Sequence, residues 1–66
     1  MRLIINGEER DLPDGLTVAD LLDQLALPTS RVAVEVNKDL VPRARHAAHT
    51  LRADDHVEVV TMVGGG

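Results

Sequence analysis

Gly64, Gly65 and Gly66 follow directly on a strand-like run over 56–63. Glycine has no Cβ, so its backbone is thin and free to rotate. Three extended residues reach about 10 Å. Such a tail can thread a narrow channel in another protein where a side chain would block entry. The reactive group it would present is the α-carboxylate of Gly66. A carboxylate is a poor electrophile until one oxygen becomes part of a leaving group, as in an acyl adenylate. This chemistry predicts a carrier whose C-terminal carboxylate is activated by an enzyme. A glycine end by itself is also what a frayed terminus looks like, so the elements before it must decide.

The final strand places side chains beside the tail. With a period of two, Val57, Val59, Thr61 and Val63 share one face, and Glu58, Val60 and Met62 share the other. Val57 and Val59 are predicted to be core. Val60 and Met62 then lie on the open face of a sheet, next to the tail. Exposed apolar groups there suit a docking patch, and methionine adapts to more than one partner.

The rest of the chain reads as alternating short elements. Met1, Leu3 and Ile5 mark a first strand. Asn6-Gly7 favours a type I′ turn, because both residues tolerate positive φ. The polar segment 8–12 is then an exposed edge strand. Pro13-Asp14-Gly15 breaks the chain. Thr17 and Asp20 are spaced as a capping box, with Leu16 and Leu21 placed as a hydrophobic staple. Val18, Leu21, Leu22 and Leu25 make an apolar helical stripe, which Pro28 is expected to stop. A valine-alternating strand over 31–37, a turn at Asn37-Lys38-Asp39 and a short strand at Leu40-Val41 follow. A single helical or 3₁₀ turn is predicted over 43–49, with Leu51 anchored in the core. One helix among strands predicts an α+β fold, a mixed sheet packed on that helix. The division expected is a domain over 1–63 and a tail over 64–66.

Composition removes several function classes. The 66 residues contain no Cys, Phe, Tyr or Trp. There is no thiol nucleophile and no thiolate metal site, and the core must be aliphatic. Without aromatic side chains, bases have no stacking platform. The net charge is −4 with no basic block, which argues against nucleic acid. No signal-like segment opens the chain, and no apolar run approaches the ~20 residues of a membrane span. The cytoplasm is the expected compartment.

Other polar groups offer weaker chemistry. His46 and His49 are three apart, with His56 further on, and histidines can bind zinc. No carboxylate spacing completes a site, so no metal is expected and the histidines are read as solvated. Asp54-Asp55 and Glu8-Glu9 are adjacent pairs whose side chains point apart. Arg43 and Arg45, beside Pro42, fit either an acidic partner surface or plain solvation.

The segments Val34-Glu35-Val36-Asn37, Val41-Pro42-Arg43, Leu51 with 55–60, and Val63-Gly64-Gly65-Gly66, in that order, resemble the thiamine-biosynthesis sulfur carriers, the ThiS family. The resemblance spans the whole chain. It implies a ubiquitin-like β-grasp fold with the first and last strands as central neighbours. An E1-like adenylyltransferase (ThiF type) would use ATP to adenylate Gly66. A sulfur relay would then leave a thiocarboxylate, and thiazole synthase (ThiG type) would take the sulfur. The carrier itself would bind no cofactor and be no enzyme. Sulfur carriage for molybdopterin, tRNA thiolation or cysteine formation stays open. So do a protein modifier joined through Gly66 and an interaction module with an inert tail. Two positions depart from the family pattern. Lys38 and Asp54 stand where glycine is usual, in turns that favour positive φ.

Overall fold

Turn chemistry and capping set the elements of the fold. A computed structural model of the chain describes residues 1–27 and 31–61. Strands β1 (Arg2–Ile5) and β2 (Glu8–Asp11) form a hairpin. Its turn residues, Asn6 and Gly7, have φ of 51° and 83°, the positive values that a type I′ turn requires. Helix α1 (Val18–Gln24) comes next. Strands β3 (Val32–Val36) and β4 (Asp39–Val41) form a second two-residue hairpin, with Asn37 and Lys38 at φ of 52° and 72°. A 3₁₀ turn (Arg43–Arg45) and strand β5 (His56–Thr61) complete the order.

The backbone donors at the start of α1 are fully accounted for. The N–H of Val18 donates to the His49 carbonyl and that of Ala19 to the His46 carbonyl, both at 2.9 Å. The N–H of Asp20 donates to Thr17 Oγ1 at 3.1 Å, and that of Leu21 to the Thr17 carbonyl at 2.9 Å. The Asp20 carboxylate accepts from the Thr17 N–H at 3.0 Å, closing the predicted capping box. The four orphan donors of a helix start are thus satisfied, two of them by the segment after the 3₁₀ turn.

The helix ends earlier than Pro28 alone implied. Leu25 is the C-cap and Ala26 has φ 55°. The Ala26 N–H donates to the Asp23 carbonyl and the Leu27 N–H to the Leu22 carbonyl, each at 3.0 Å. This is a Schellman motif with alanine at the position that favours glycine. Pro28 lies outside the described residues.

The sheet order is β2-β1-β5-β3-β4. β1 and β5 pair in parallel at the centre, and the other pairs are antiparallel. The arrangement is the α+β β-grasp expected from the sequence. β2 is fully exposed at one edge, as its polar sequence demands. One sheet face buries Leu3, Val34 and Val57 against Val18, Leu21 and Leu22 of α1. Leu16, Leu21 and Leu51 are buried as predicted. Among the described residues no helix is long and apolar enough to cross a membrane.

Candidate functional site

The site begins with β5, the element that leads to the glycine tail. Its start is fixed by two side chains. Asn37 Oδ1 accepts from the His56 N–H at 3.0 Å, and Asn37 Nδ2 donates to Asp55 Oδ1 at 3.0 Å. Asp55 Oδ2 accepts from the Arg52 N–H at 2.8 Å. The turn before β5 is therefore held by one carboxylate that joins it to the β3–β4 hairpin. Asp54, in that turn, has φ 70°. Its carboxylate accepts from the Arg2 guanidinium at 2.9 and 3.0 Å. Asp54, and more weakly Glu9, hold that guanidinium above its ordinary pKa.

The far end of β5 is fixed from the other hairpin. Asn6 Nδ2 donates to the Val59 carbonyl at 3.2 Å, and Asn6 Oδ1 accepts from the Val59 N–H at 2.8 Å. The chain has already turned at Asn6, so the amide side chain continues the β1 ladder in place of backbone. The Asn6 amide thus ties β5 at Val59 to the β1–β2 hairpin.

Alternation along β5 is as the sequence predicted. Val57 and Val59 are buried, while His56, Glu58 and Val60 are exposed. Val60, 57% exposed, pairs across the ladder with Ala33 of β3. The open face carries a second exposed apolar side chain, Leu40 of β4, 65% exposed and opposite Glu35. Sequence alone did not single out Leu40, because its neighbour Val41 is the residue that enters the core. Shallow depressions on this face are lined by Asn37, Lys38, His56 and Glu58, and by Ala33, Glu35 and Val60. Met62, Val63, Gly64, Gly65 and Gly66 lie outside the described residues. The structure thus places Val60 of the two docking candidates.

One expectation needs correction. His46 is buried, 4% exposed, and not solvated. Its Nε2 lies 3.1 Å from the Val41 carbonyl, while its Nδ1 has no protein partner. The 3₁₀ turn carries the imidazole under β4, where that carbonyl can accept its proton. His49 is half-buried and His56 exposed. Among the described residues no three metal-binding side chains converge. Arg43 and Arg45 are exposed, as either reading of them requires.

With this geometry established, likeness to known proteins can be weighed. The chain matches the model of the ThiS family over residues 3–66. A thiazole synthase of Paramagnetospirillum magneticum is 41% identical over all 66 residues, which correspond to 20% of that protein's length. The chain therefore spans about a fifth of that relative. The sulfur carrier protein ThiS of Escherichia coli is 29% identical, with both chains covered in full. A crystal structure of the thiamine biosynthesis protein ThiS from Geobacter metallireducens superimposes with a TM-score of 0.87 at 32% identity, again over the whole of both chains. The family match over nearly the whole chain, together with a fold shared over its full length, shows that the chain belongs to the ThiS family.

Proposed function

We propose that this chain is a sulfur carrier for thiazole formation in thiamine biosynthesis, with Gly66 as its C-terminal carrying residue. The observation that carries this reading is the family match from residue 3 to residue 66, which takes in the glycine tail. Full-length likeness to a ThiS sulfur carrier supports it. A thiazole synthase that contains a 41% identical segment supports a synthase of that kind as the partner.

The chemistry follows from the carboxylate. An E1-like adenylyltransferase joins Gly66 to the α-phosphate of ATP, releasing pyrophosphate. A sulfur nucleophile attacks the acyl carbon, and the C–O bond to AMP breaks. Sulfide as the nucleophile leaves the thiocarboxylate directly, whereas a protein persulfide leaves an acyl disulfide, whose S–S bond a thiol reductant must cleave to give the thiocarboxylate and the protein thiol. Thiazole synthase receives that sulfur. In this reading ATP is a substrate of the activating enzyme, and the carrier supplies only the acyl group. Gly64 and Gly65 form a thin lead through both partners' entries, the domain over 1–63 provides the docking surface, and Val60 and Met62 touch the partners. The cycle is placed in the cytoplasm.

The test is the intact mass of the chain after incubation with an activating enzyme, ATP and sulfide. Exchange of one oxygen for sulfur raises the mass. Oxidation of Met1 or Met62 gives nearly the same increase, so thiol-directed alkylation and fragmentation must place the label. An ATP-dependent, alkylatable group on Gly66 is expected. A residue appended after Gly66 should abolish it. Unchanged loading of that extended chain would rule Gly66 out as the carrying residue.

A further inference from the structure

An activated carboxyl acylates free amines and thiols as well as sulfide, so the nucleophiles of a carrier bear on its own cycle. The chain has no cysteine, and Lys38 is its single lysine. In the 66-residue chain the other amine is the α-amino group of Met1, and it is occupied. It donates to the Leu12 carbonyl and lies 3.1 Å from Asp14 and 3.3 Å from Asp11. An ammonium held by two carboxylates keeps its proton and has no lone pair for attack. Lys38 is the free amine that remains.

Lys38 is exposed, as the second residue of the β3–β4 turn. Among the described residues no carboxylate oxygen lies within 4.0 Å of its ammonium. The turn is fastened to the start of β5. The Asn37 N–H donates to the His56 carbonyl at 2.7 Å, and Asn37 Oδ1 accepts from the His56 N–H at 3.0 Å. Lys38 and His56 therefore line one depression, together with Asn37 and Glu58. An imidazole beside an amine can take the proton that the amine loses as it attacks. Glycine residues have no side chain to keep them out of a shallow depression. β5 runs from His56 to Thr61, about 17 Å at the rise of a strand. The tail follows the far end of that strand, which favours a carboxyl from a second copy.

We propose that Lys38 is an acylation site, whose amine attacks the activated Gly66 carboxyl of a second copy when sulfur is lacking and joins the two chains by an isopeptide bond. The inference rests on the sulfur-carrier reading and takes from it the adenylated Gly66. In the step, the Lys38 Nζ forms a bond to the acyl carbon. The C–O bond to AMP breaks, and AMP leaves with the electron pair. The proton lost by the amine passes to His56 and then to solvent. Nothing is oxidised or reduced. Sulfide competes for the same acyl carbon, so the cross-link marks a carrier that is activated faster than sulfur arrives.

The test incubates the full chain with an E1-like adenylyltransferase and ATP, without sulfide, and reads intact mass, fragmentation and pyrophosphate release. An ATP-dependent product of two chains less one water is expected, with Gly66 of one joined to Lys38 of the other. Added sulfide should suppress it. Lys38→Arg and Lys38→Gly should both abolish it while pyrophosphate is released as by the parent; glycine suits the positive φ of that turn, so a folding defect is not the cause. His56→Gln should slow the cross-link several-fold near neutral pH, with the gap closing as pH rises. An equal rate for His56→Gln at every pH would overturn the role of the imidazole. A linkage through the Met1 α-amino group, or a product that survives in both Lys38 variants, would overturn the site. A single chain less one water, joined at Lys38, would overturn the second copy. Pyrophosphate release with no cross-link would overturn the inference and leave the carrier reading standing. No pyrophosphate release, with an enzyme active on its own carrier, would fail the carrier reading itself.

Discussion

The side chain of Asn6 grips the backbone of Val59, donating to its carbonyl at 3.2 Å and accepting from its N–H at 2.8 Å. Asn6 also sits at φ 51°, which asparagine tolerates better than most residues. Asn6→Ala removes both hydrogen bonds and leaves a Cβ at positive φ. A loss of about 2 kcal/mol is expected. Urea unfolding should show a lower midpoint at unchanged slope. Asn6→Asp keeps the acceptor but sets a carboxylate against the Val59 carbonyl, so it should also destabilise. If both variants unfold like the parent, the grip contributes nothing.

Among the five described non-glycine residues in left-handed backbone, Ala26 and Lys38 are the two whose side chains are neither Asn nor Asp. Ala26 closes the Schellman motif at φ 55°, and Lys38 is the second residue of the β3–β4 turn at φ 72°. Glycine relieves a strain of ~1 kcal/mol or more but adds freedom to the unfolded chain. A net gain between a few tenths and about 1 kcal/mol is expected for each of Ala26→Gly and Lys38→Gly. Asp54, at φ 70°, should behave differently, because glycine there discards the ion pair with Arg2. Thermal midpoints of the three variants decide the matter. Equal gains at all three would deny the Arg2 pair any role.

The aliphatic core has little reserve. Leu22 is fully buried against the sheet. Leu22→Ala should cost about 2–5 kcal/mol. A domain of this size holds roughly 3–10 kcal/mol in total. Partial unfolding at physiological temperature is expected, read as weakened hydrogen-exchange protection in β1, β3 and β5. Full protection would show that the site collapses around the cavity.

Val60 offers the contrasting case on the open face. It is 57% exposed, so Val60→Asp should change stability by no more than ~0.5 kcal/mol. Loading of Gly66 at limiting carrier should nevertheless fall about tenfold, a difference of ~1.4 kcal/mol in binding. Parallel losses of stability and loading would assign Val60 to the fold and not to docking.

In the 66-residue chain the Met1 ammonium lies 3.1 Å from Asp14 and 3.3 Å from Asp11. Its hydrogen bond to Asp14 raises its pKa above the ordinary 8.0; partial burial opposes this and Asp11 reinforces it. A raised folded-state pKa gives stability that is complete below the unfolded value. That stability is lost as pH rises through the folded value. The thermal midpoint should therefore fall as pH climbs above about 8. An N-acetylated chain has no ammonium and should lack this dependence. Identical profiles for the two would remove the contribution.

Local chemistry was readable without coordinates wherever it acts over a few residues. The Asn6-Gly7 turn, the Thr17–Asp20 box, the alternation of Val57 and Val59 and the polar β2 edge each depend on neighbouring φ, ψ and side-chain direction. The role proposed for the glycine tail rests on the sequence and the family match alone, since Gly64, Gly65 and Gly66 lie outside the described residues. Tertiary structure alone decided what depends on register and reach. Asn6 meets Val59 across 53 residues. Glu35 faces Glu58 because the β3–β5 ladder pairs them, and a slip of one residue would turn each to the other face. His46 is buried because the 3₁₀ turn brings it to the Val41 carbonyl, and its sequence neighbours carry no sign of that partner. A polar side chain enters a core only where an acceptor awaits it, and the positions of acceptors are a property of the whole fold.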